Sequence, residues 1–181
     1  MNIFFSSDYH FFHKNVIKYC NRPFIDVEET NETMISRHNE LVKPNDTIYM
    51  LGDIAFVKNI NDAVDVLGRM NGNKILISGN HDAHNLKHKE FRDCFSKISP
   101  LLEIKVDGQM IVLCHYSMNV WNKSHHKSFH LYGHSHGSMP DNINSLSFDV
   151  GVDTNNFYPY TYQQVIERMS KKKFIPLDHH E

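Results

Sequence analysis

Five short apolar segments of this chain each end in a cluster of polar side chains. In layered α/β folds, ligands bind beyond the carboxyl ends of the strands, so the five clusters are expected to converge. Buried polar groups would cost stability there unless a bound ligand compensated for their desolvation. The clusters are Ser7-Asp8-Tyr9-His10, Gly52-Asp53, Gly79-Asn80-His81-Asp82, Cys114-His115 and Gly133-His134-Ser135-His136.

The apolar segments themselves have the length of buried strands. An Asp107-Gly108 pair separates two further apolar runs and predicts a tight hairpin turn. The chain has 181 residues, of which 40% are hydrophobic, and this is enough for one globular domain over 1–181. The predicted strands lie in Asn2–Ser7, "DTIYML", "KILIS", "LLEIKVDGQMIVLCH", "HLYGHSH" and "LSFDVGVD".

Three segments between or after the strands have helical patterns. Asp26 is placed to cap the first, with Glu29 three residues later as in a capping box. In the second, Ile60, Val64 and Leu67, continued by Met70, are expected to share one helical face. The helical segments are "DVEETNETMISRHNELV", "INDAVDVLGRM" and "TYQQVIERMSKKK".

The polar clusters together offer seven oxygen and nitrogen ligands. Such a mixed set suits Mn²⁺, Fe²⁺, Zn²⁺ or Ni²⁺ better than Ca²⁺, which prefers oxygen ligands only. Seven ligands are too many for one tetrahedral zinc ion and are suited to two ions that share a carboxylate. We therefore expect two divalent transition-metal ions. The candidate ligands are Asp8, His10, Asp53, Asn80, His115, His134 and His136.

A site of this kind is suited to a phosphoester substrate. Two divalent cations outweigh the charges of Asp8, Asp53 and a bridging hydroxide, so the site keeps a positive charge that attracts a phosphate anion. Two ions can also hold the attacking and leaving oxygens of an in-line displacement.

Five ordered motifs of the chain resemble those of the calcineurin-like metallophosphoesterase superfamily, and they extend from Asp8 to His136. Flanking segments resemble a group of small bacterial and phage phosphoesterases of that superfamily. The motifs are "DYH", "GD", "GNHD", the single His115 and "GHSH", and the flanks are "HFFHKNVIKYCNRPF", "WN", "DVGVD" and "YPYTY".

The resemblance implies an α/β fold, a four-layer sandwich of two mixed β-sheets flanked by helices. It also implies that one ion is held by three ligands, that a second ion is held by three others, and that Asp53 bridges the two. The implied ligands are Asp8, His10 and His136 for the first ion, and Asn80, His115 and His134 for the second.

The resemblance further implies hydrolysis by a metal-bridging hydroxide. His81 would protonate the leaving oxygen, and Asp82 would orient His81, because a carboxylate can fix the tautomer of an imidazole. Phe56 stands where many relatives carry an acidic residue, and Phe12 where relatives often have glycine. The arginine signature of the protein Ser/Thr phosphatases is absent, which makes a phosphoprotein substrate less expected.

Residues near the first cluster are candidates for substrate binding. Arg22 could bind a phosphate oxygen through its planar guanidinium, or it could pair with Asp26 or another surface carboxylate. His13 could approach the metals or the substrate, or act as a helix cap or hydrogen-bonding group. Trp121 could stack on a base or serve in packing.

The expected substrate is a small, nucleotide-like phosphodiester, with nucleotides and cyclic nucleotides as the candidates. Phosphomonoester hydrolysis, cleavage at nucleic-acid ends and a catalytically inactive metal-binding scaffold remain alternatives. The formal net charge of -2 argues mildly against long duplexes, whose binding relies on many phosphate contacts. The sequence leaves the native metal and the oligomeric state open.

The three cysteines, at positions 20, 94 and 114, form no CxxC motif, which indicates a reducing compartment and no disulfide partner. No apolar run approaches the roughly 20 residues of a membrane span. We therefore expect a cytoplasmic protein with no membrane partner. His179 and His180 lie in a tail and receive no role.

Overall fold

A computed structural model describes residues 1–177 of the chain, so His179 and His180 lie outside the described residues. The helices are α1 (Lys14–Tyr19), α2 (Val27–Leu41), α3 (Ile60–Arg69), α4 (Lys89–Arg92) and α5 (Tyr162–Ser170). The strands are β1 (Ile3–Ser6), β2 (Thr47–Met50), β3 (Asn73–Ile77), β4 (Lys97–Ser99), β5 (Leu101–Val106), β6 (Gln109–Cys114), β7 (Phe129–Tyr132), β8 (Ser147–Asp149) and β9 (Tyr160–Thr161).

The strands form two mixed sheets. The first has the order β4-β3-β2-β1-β9, with β1 to β4 parallel and β9 antiparallel to β1. The second has the order β5-β6-β7-β8, with β5 antiparallel to β6 and the other pairs parallel. Two mixed sheets with flanking helices confirm the predicted α/β fold class.

The apolar residues of the first sheet contribute to two separate cores. Phe4 packs in a cluster with Met34 of α2 and Leu67 of α3, whereas its neighbour Phe5 packs with Ile111 and Phe148 of the second sheet. Successive strand residues point to opposite faces, so one strand serves both cores. Helices therefore cover one face of the first sheet, and the second sheet covers the other.

Local sequence signals are mostly confirmed. The Asp26 carboxylate caps α2 by accepting a bond from the backbone N–H of Glu29 at 2.8 Å. The Glu29 carboxylate returns to the N–H of Ile25, one residue before the cap. Asp107 and Gly108 form the predicted hairpin turn, with φ angles of 47° and 88°.

The predicted buried face of α3 is only partly right. Leu67 is buried as expected, but Ile60 and Val64 are half-buried. Ala63 and Val66 take their places in the core. The helical period was therefore correct, but the buried stripe is rotated towards Ala63 and Val66 and shares Leu67 and Met70 with the predicted one.

Candidate metal centre

The structure brings the seven predicted ligands together beyond the carboxyl ends of β1, β2, β3, β6 and β7. Two groups form, and within each the candidate ligand atoms lie within 4.8 Å of one another. Asn80 joins the second group, because its Oδ1 lies 3.1 Å from Nε2 of His115. The first group is Asp8, His10 and His136, and the second is Asp53, His115 and His134.

Asp53 lies between the two groups. Its Oδ2 atom is 3.5 Å from Nε2 of His115 and 3.6 Å from Nε2 of His10. One carboxylate oxygen therefore faces a histidine of each group, which is the arrangement that a shared ligand requires.

The backbone is unusual at five of the ligands. Asp8, His10, Asp53, His134 and His136 have φ angles of 57°, 50°, 55°, 67° and 48°. Residues with a Cβ rarely adopt this left-handed conformation, and such strain concentrates at functional sites. The strand ends turn sharply here, which directs the side chains of successive motifs into one space.

Two glycines allow the ligand loops to approach each other. A Cβ atom on Gly79 would collide with the Asp53 carboxylate, and one on Gly133 would collide with the side chains of Ser7 and Asp8. The glycines in "GNHD" and "GHSH" are thus needed because another loop passes directly over them.

Two buried ligand atoms have no hydrogen-bond partner within the described part of the chain. They are Oδ1 of Asp8 and Nε2 of His10, which lie 4.0 Å apart. Burial raises the pKa of Asp8 to about 7 and lowers the pKa of His10 to about 3. Unpaired buried polar atoms are costly. A cation between them would satisfy both, so the residues present fit a metal ion.

His115 has a fixed tautomer in the second group. Its Nδ1 lies 2.6 Å from the carbonyl oxygen of Leu51, and because a carbonyl can only accept, Nδ1 carries the proton. The other ring nitrogen, Nε2, faces the carboxylate of Asp53 and the side-chain oxygen of Asn80. Burial disfavours the charged ring, but the hydrogen bond to Asp53 and the charge of Asp8 raise its pKa to about 9.

Comparison with known proteins agrees with this geometry. Residues 1–150 match the family model of the calcineurin-like phosphoesterase superfamily domain. This chain belongs to the calcineurin-like phosphoesterase superfamily. The predicted family is thereby confirmed, and with it a phosphoesterase with a divalent-metal site.

Relatives of this phosphoesterase occur in an archaeon and a phage. An uncharacterized protein of Methanocaldococcus jannaschii is 32% identical over 184 residues, covering 96% of this chain and 94% of its own. The Gene 66 protein of Mycobacterium phage L5 is 36% identical over 83 residues, covering 45% of this chain and 40% of its own. A solved structure from Aquifex aeolicus, of unknown function, shares the fold with a TM-score of 0.71 and 22% identity, covering 92% and 98% of the two chains.

The His81 side chain of the phosphoesterase is 47% exposed beside the ligand groups. Its Nε2 lies 4.0 Å from Oδ2 of Asp53, and its backbone N–H donates to Oδ1 of Asp53 at 2.9 Å. The ring is therefore held at the edge of the metal centre with a face open to solvent, where it could meet an incoming substrate.

Asp82 does not have the predicted orienting role. Its buried carboxylate accepts bonds from the backbone N–H groups of Gly79 at 2.7 Å and of Asp53 and Ile54 at 3.0 Å. Both oxygens are thus occupied by backbone donors. The residue fixes the loops after β2 and β3 rather than the tautomer of His81.

Arg22 does not fit its predicted contact with a phosphate oxygen. Its guanidinium is fully buried and pairs with both oxygens of Asp153 at 2.8 and 2.9 Å. The alternative of a carboxylate partner therefore describes the structure, with Asp153 as that partner instead of Asp26.

His13 lies beside the first ligand group, where its predicted role at the metals or the substrate stays a prediction, whereas Trp121 is buried in packing. Nδ1 of His13 lies 3.2 Å from Nδ1 of His10, and its ring stacks on Phe56 at 4.0 Å. The buried Trp121 ring donates its N–H to Ser128. His13 thus contacts a ligand as a hydrogen-bonding group, and Trp121 serves in packing.

The residue that sequence analysis missed is Asp153. Its Oδ2 lies 2.7 Å from Nδ1 of His136. Asp153 is the last residue of the segment "DVGVD", which resembles a flanking segment of the related phosphoesterases but received no role in the sequence analysis. Only the fold brings this segment, 17 residues further along the chain, beneath the "GHSH" motif.

Proposed function

We propose that this phosphoesterase holds two divalent metal ions and hydrolyses a phosphodiester of a small, nucleotide-like molecule. The observation that carries the proposal is the position of Asp53, with one oxygen 3.6 Å from His10 of the first group and 3.5 Å from His115 of the second. A single shared carboxylate between two ligand groups is suited to two adjacent ions.

The ligands divide as the family resemblance implies. Asp8, His10 and His136 would hold the first ion, while Asn80, His115 and His134 would hold the second. Mn²⁺, Fe²⁺, Zn²⁺ and Ni²⁺ all suit these oxygen and nitrogen donors. When bound, two such ions supply a nucleophile from water at neutral pH and offset the charge of the phosphoryl oxygens.

His81 would deliver the proton that the leaving oxygen needs. The backbone of His81 is fixed by the hydrogen bond from its N–H group to Asp53, and its side chain extends towards solvent. An imidazole can change protonation near neutral pH, as a general acid must. The Phe56 ring, tilted by 51° with its centroid 4.7 Å from that of the His81 ring, limits the movement of His81.

Two features support a diester with a base. The Tyr116 ring is 47% exposed and lies 5.0 Å from the His134 ring, beside the second ligand group. An exposed aromatic face can stack on a nucleobase, which is typically worth about 1–3 kcal/mol. Arg22 is engaged by Asp153, so this guanidinium is not free to bind the second negative charge of a monoester.

The experiment is a metal reconstitution followed by a substrate comparison. Metal-free protein is loaded with Mn²⁺, and the bound equivalents are counted by elemental analysis. Turnover is then measured on bis(p-nitrophenyl) phosphate and on p-nitrophenyl phosphate, followed by 2′,3′-cyclic nucleotides, cyclic dinucleotides and dinucleoside polyphosphates.

We expect two equivalents of metal, faster turnover of the diester, and activity on at least one nucleotide. Preference for the monoester would contradict the diester proposal and leave the metal site intact. Two bound ions with no turnover of any ester would favour the inactive scaffold. The proposal also includes a cytoplasmic location, which rests on the three unpaired cysteines.

A further inference from the structure

A chain of three side chains runs from the partly exposed His136 of the first ligand group, through Asp153, to the fully buried Arg22. Nδ1 of His136 lies 2.7 Å from Oδ2 of Asp153, and Asp153 in turn pairs with Arg22. From this geometry we propose that Asp153 is a positioning residue for the first metal ion and that Arg22 holds it in place. The inference rests on the proposed two-ion site.

The contact between His136 and Asp153 decides which ring nitrogen is available. The carboxylate of Asp153 accepts a hydrogen bond from the Nδ1–H group of His136. The proton therefore stays on Nδ1, and the lone pair of Nε2 is free to bind a metal ion. Nε2 faces the first group, at 3.9 Å from Oδ1 of Asp8. The ring is therefore presented to the ion in one tautomer and one orientation, and the carboxylate also makes the imidazole a stronger ligand.

Arg22 secures this carboxylate from two directions. Its Nε donates to Oδ1 of Asp153 at 2.8 Å and its Nη2 donates to Oδ2 at 2.9 Å, a bidentate pair that fixes the plane of the carboxylate. Since the Arg22 side chain is fully buried, water does not compete for these bonds.

The same guanidinium also holds the backbone of the other ligands. Nη2 donates to the carbonyl of Asp8 at 2.8 Å and Nη1 donates to the carbonyl of Tyr9 at 2.9 Å. Asp8 and His10, on either side of Tyr9, have left-handed backbones that need such support. Arg22 thus connects all three ligands of the first ion.

The second ligand group is supported differently. The Nδ1–H group of His115 donates a hydrogen bond to the backbone carbonyl of Leu51. Within residues 1–177, no carboxylate–arginine pair contacts His115 as Asp153 and Arg22 contact His136. The effect of Asp153 should therefore be confined to the first ion. This selectivity separates a positioning role from a general contribution to folding.

The test measures Mn²⁺ affinity by isothermal titration of metal-free protein, comparing wild type with Asp153→Asn and Arg22→Lys. We expect Asp153→Asn to weaken one of two sites by about 10- to 100-fold and to leave the other unchanged. Arg22→Lys should weaken the same site, because a lysine cannot form the bidentate pair. Combining both changes should weaken that site by less than the product of their separate effects.

Asp46→Asn is the matched control. Asp46 is a buried carboxylate that accepts two backbone N–H bonds at the start of β2, the end of the strand remote from the ligands. Its loss should lower stability in thermal unfolding but leave both affinities unchanged. Equal weakening of both sites by Asp153→Asn, or no weakening in a folded variant, would overturn the inference.

The wild-type titration separates this inference from the proposed function. A wild type that binds a single ion would contradict the two-ion proposal. If Asp153→Asn lowered the affinity for that single ion, the positioning role would still be supported. An unchanged affinity would overturn it. Because the readout is binding, an absence of turnover does not affect the result.

Discussion

The carboxylate of Asp82 accepts a hydrogen bond at 3.0 Å from the backbone N–H of Asp53, the residue whose side chain lies between the two ligand groups. The same carboxylate accepts bonds from Ile54 and Gly79. Three backbone donors from two loops thus share one buried acceptor. The positions of the loops that carry Asp53 and Asn80 therefore depend on this side chain.

Asp82→Asn should therefore destabilise the protein. The amide has only one accepting oxygen, so at least one buried N–H would lose its partner at a cost of about 1–3 kcal/mol. Urea unfolding of metal-free protein measures the change. Asp65→Asn, on the exposed side of α3, should stay within about 0.5 kcal/mol of wild type. An unchanged stability for Asp82→Asn would show that the loops do not need this acceptor.

Asp53→Asn should remove both metal ions and the activity. An amide is neutral and cannot offset two adjacent cations, so the loss should affect both ligand groups together. Elemental analysis after dialysis and turnover of bis(p-nitrophenyl) phosphate are the measurements. Asp107→Asn, at the exposed hairpin turn, should keep full occupancy. Two retained equivalents in Asp53→Asn would argue strongly against a shared ligand at this position.

His81→Ala should keep both metals but slow the reaction selectively. A positioned general acid typically contributes about 100- to 10,000-fold, and this should be lost on an alkyl phosphodiester, whose leaving group needs a proton. The loss should be much smaller on a p-nitrophenyl ester, whose phenolate leaves without one. The ratio of kcat/KM values on the two esters is the measurement.

The His81 result has two informative alternatives. Equal losses on both esters would indicate that His81 stabilises charge on the phosphoryl group instead of protonating the leaving oxygen. Loss of one metal equivalent would mean that His81 is itself a ligand, and the assignment of Asn80 would then be wrong.

Acid should destabilise the protein partly through His38, which is buried on α2. Its Nε2 donates to the carbonyl of Asn71 at 2.9 Å, and burial lowers its pKa to about 4. An unfolded histidine titrates near about 6.5, so below that pH the unfolded state binds the proton first. The contribution of His38 to the free energy of unfolding is therefore fully present above about pH 6.5. It is lost as the pH falls towards 4, and the loss is at most about 3 kcal/mol.

The slope of stability against pH tests this contribution. His38→Gln should give a shallower slope between about pH 6.5 and 4 than wild type. His84→Gln, which removes an exposed histidine, should leave the slope unchanged. An identical slope in His38→Gln and wild type would show that the buried ring does not carry the effect.

The strand-end clusters allowed much of the metal centre to be predicted. Each candidate ligand, from Asp8 to His136, lies within a few residues of the end of an apolar run, and the carboxyl ends of adjoining strands meet regardless of the details of the loops. The Asp26 cap and the Asp107-Gly108 turn were also predictable, because both depend on neighbours within a few residues.

Helices α1 and α4 and the short strands β4 and β9 were not predicted. The six residues of α1, Lys14–Tyr19, are too few for a helical period, and they lie within the polar segment after the first cluster. Strand β9 has only two residues, and its pairing with Phe4 and Phe5 makes it a strand. Elements this short are defined by their partners and not by their own composition.

The sequence by itself determined the candidate ligands and the ends of the strands that present them, because both depend on which residue follows which. The tertiary structure decided what supports those ligands. Asp153 is 131 residues from Arg22 along the chain, and no local pattern indicates that the two share a bond at 2.8 Å. Arg22 and Asp82 were therefore assigned to substrate and to His81, since a buried ion pair or a shared backbone acceptor exists only after distant loops have packed together.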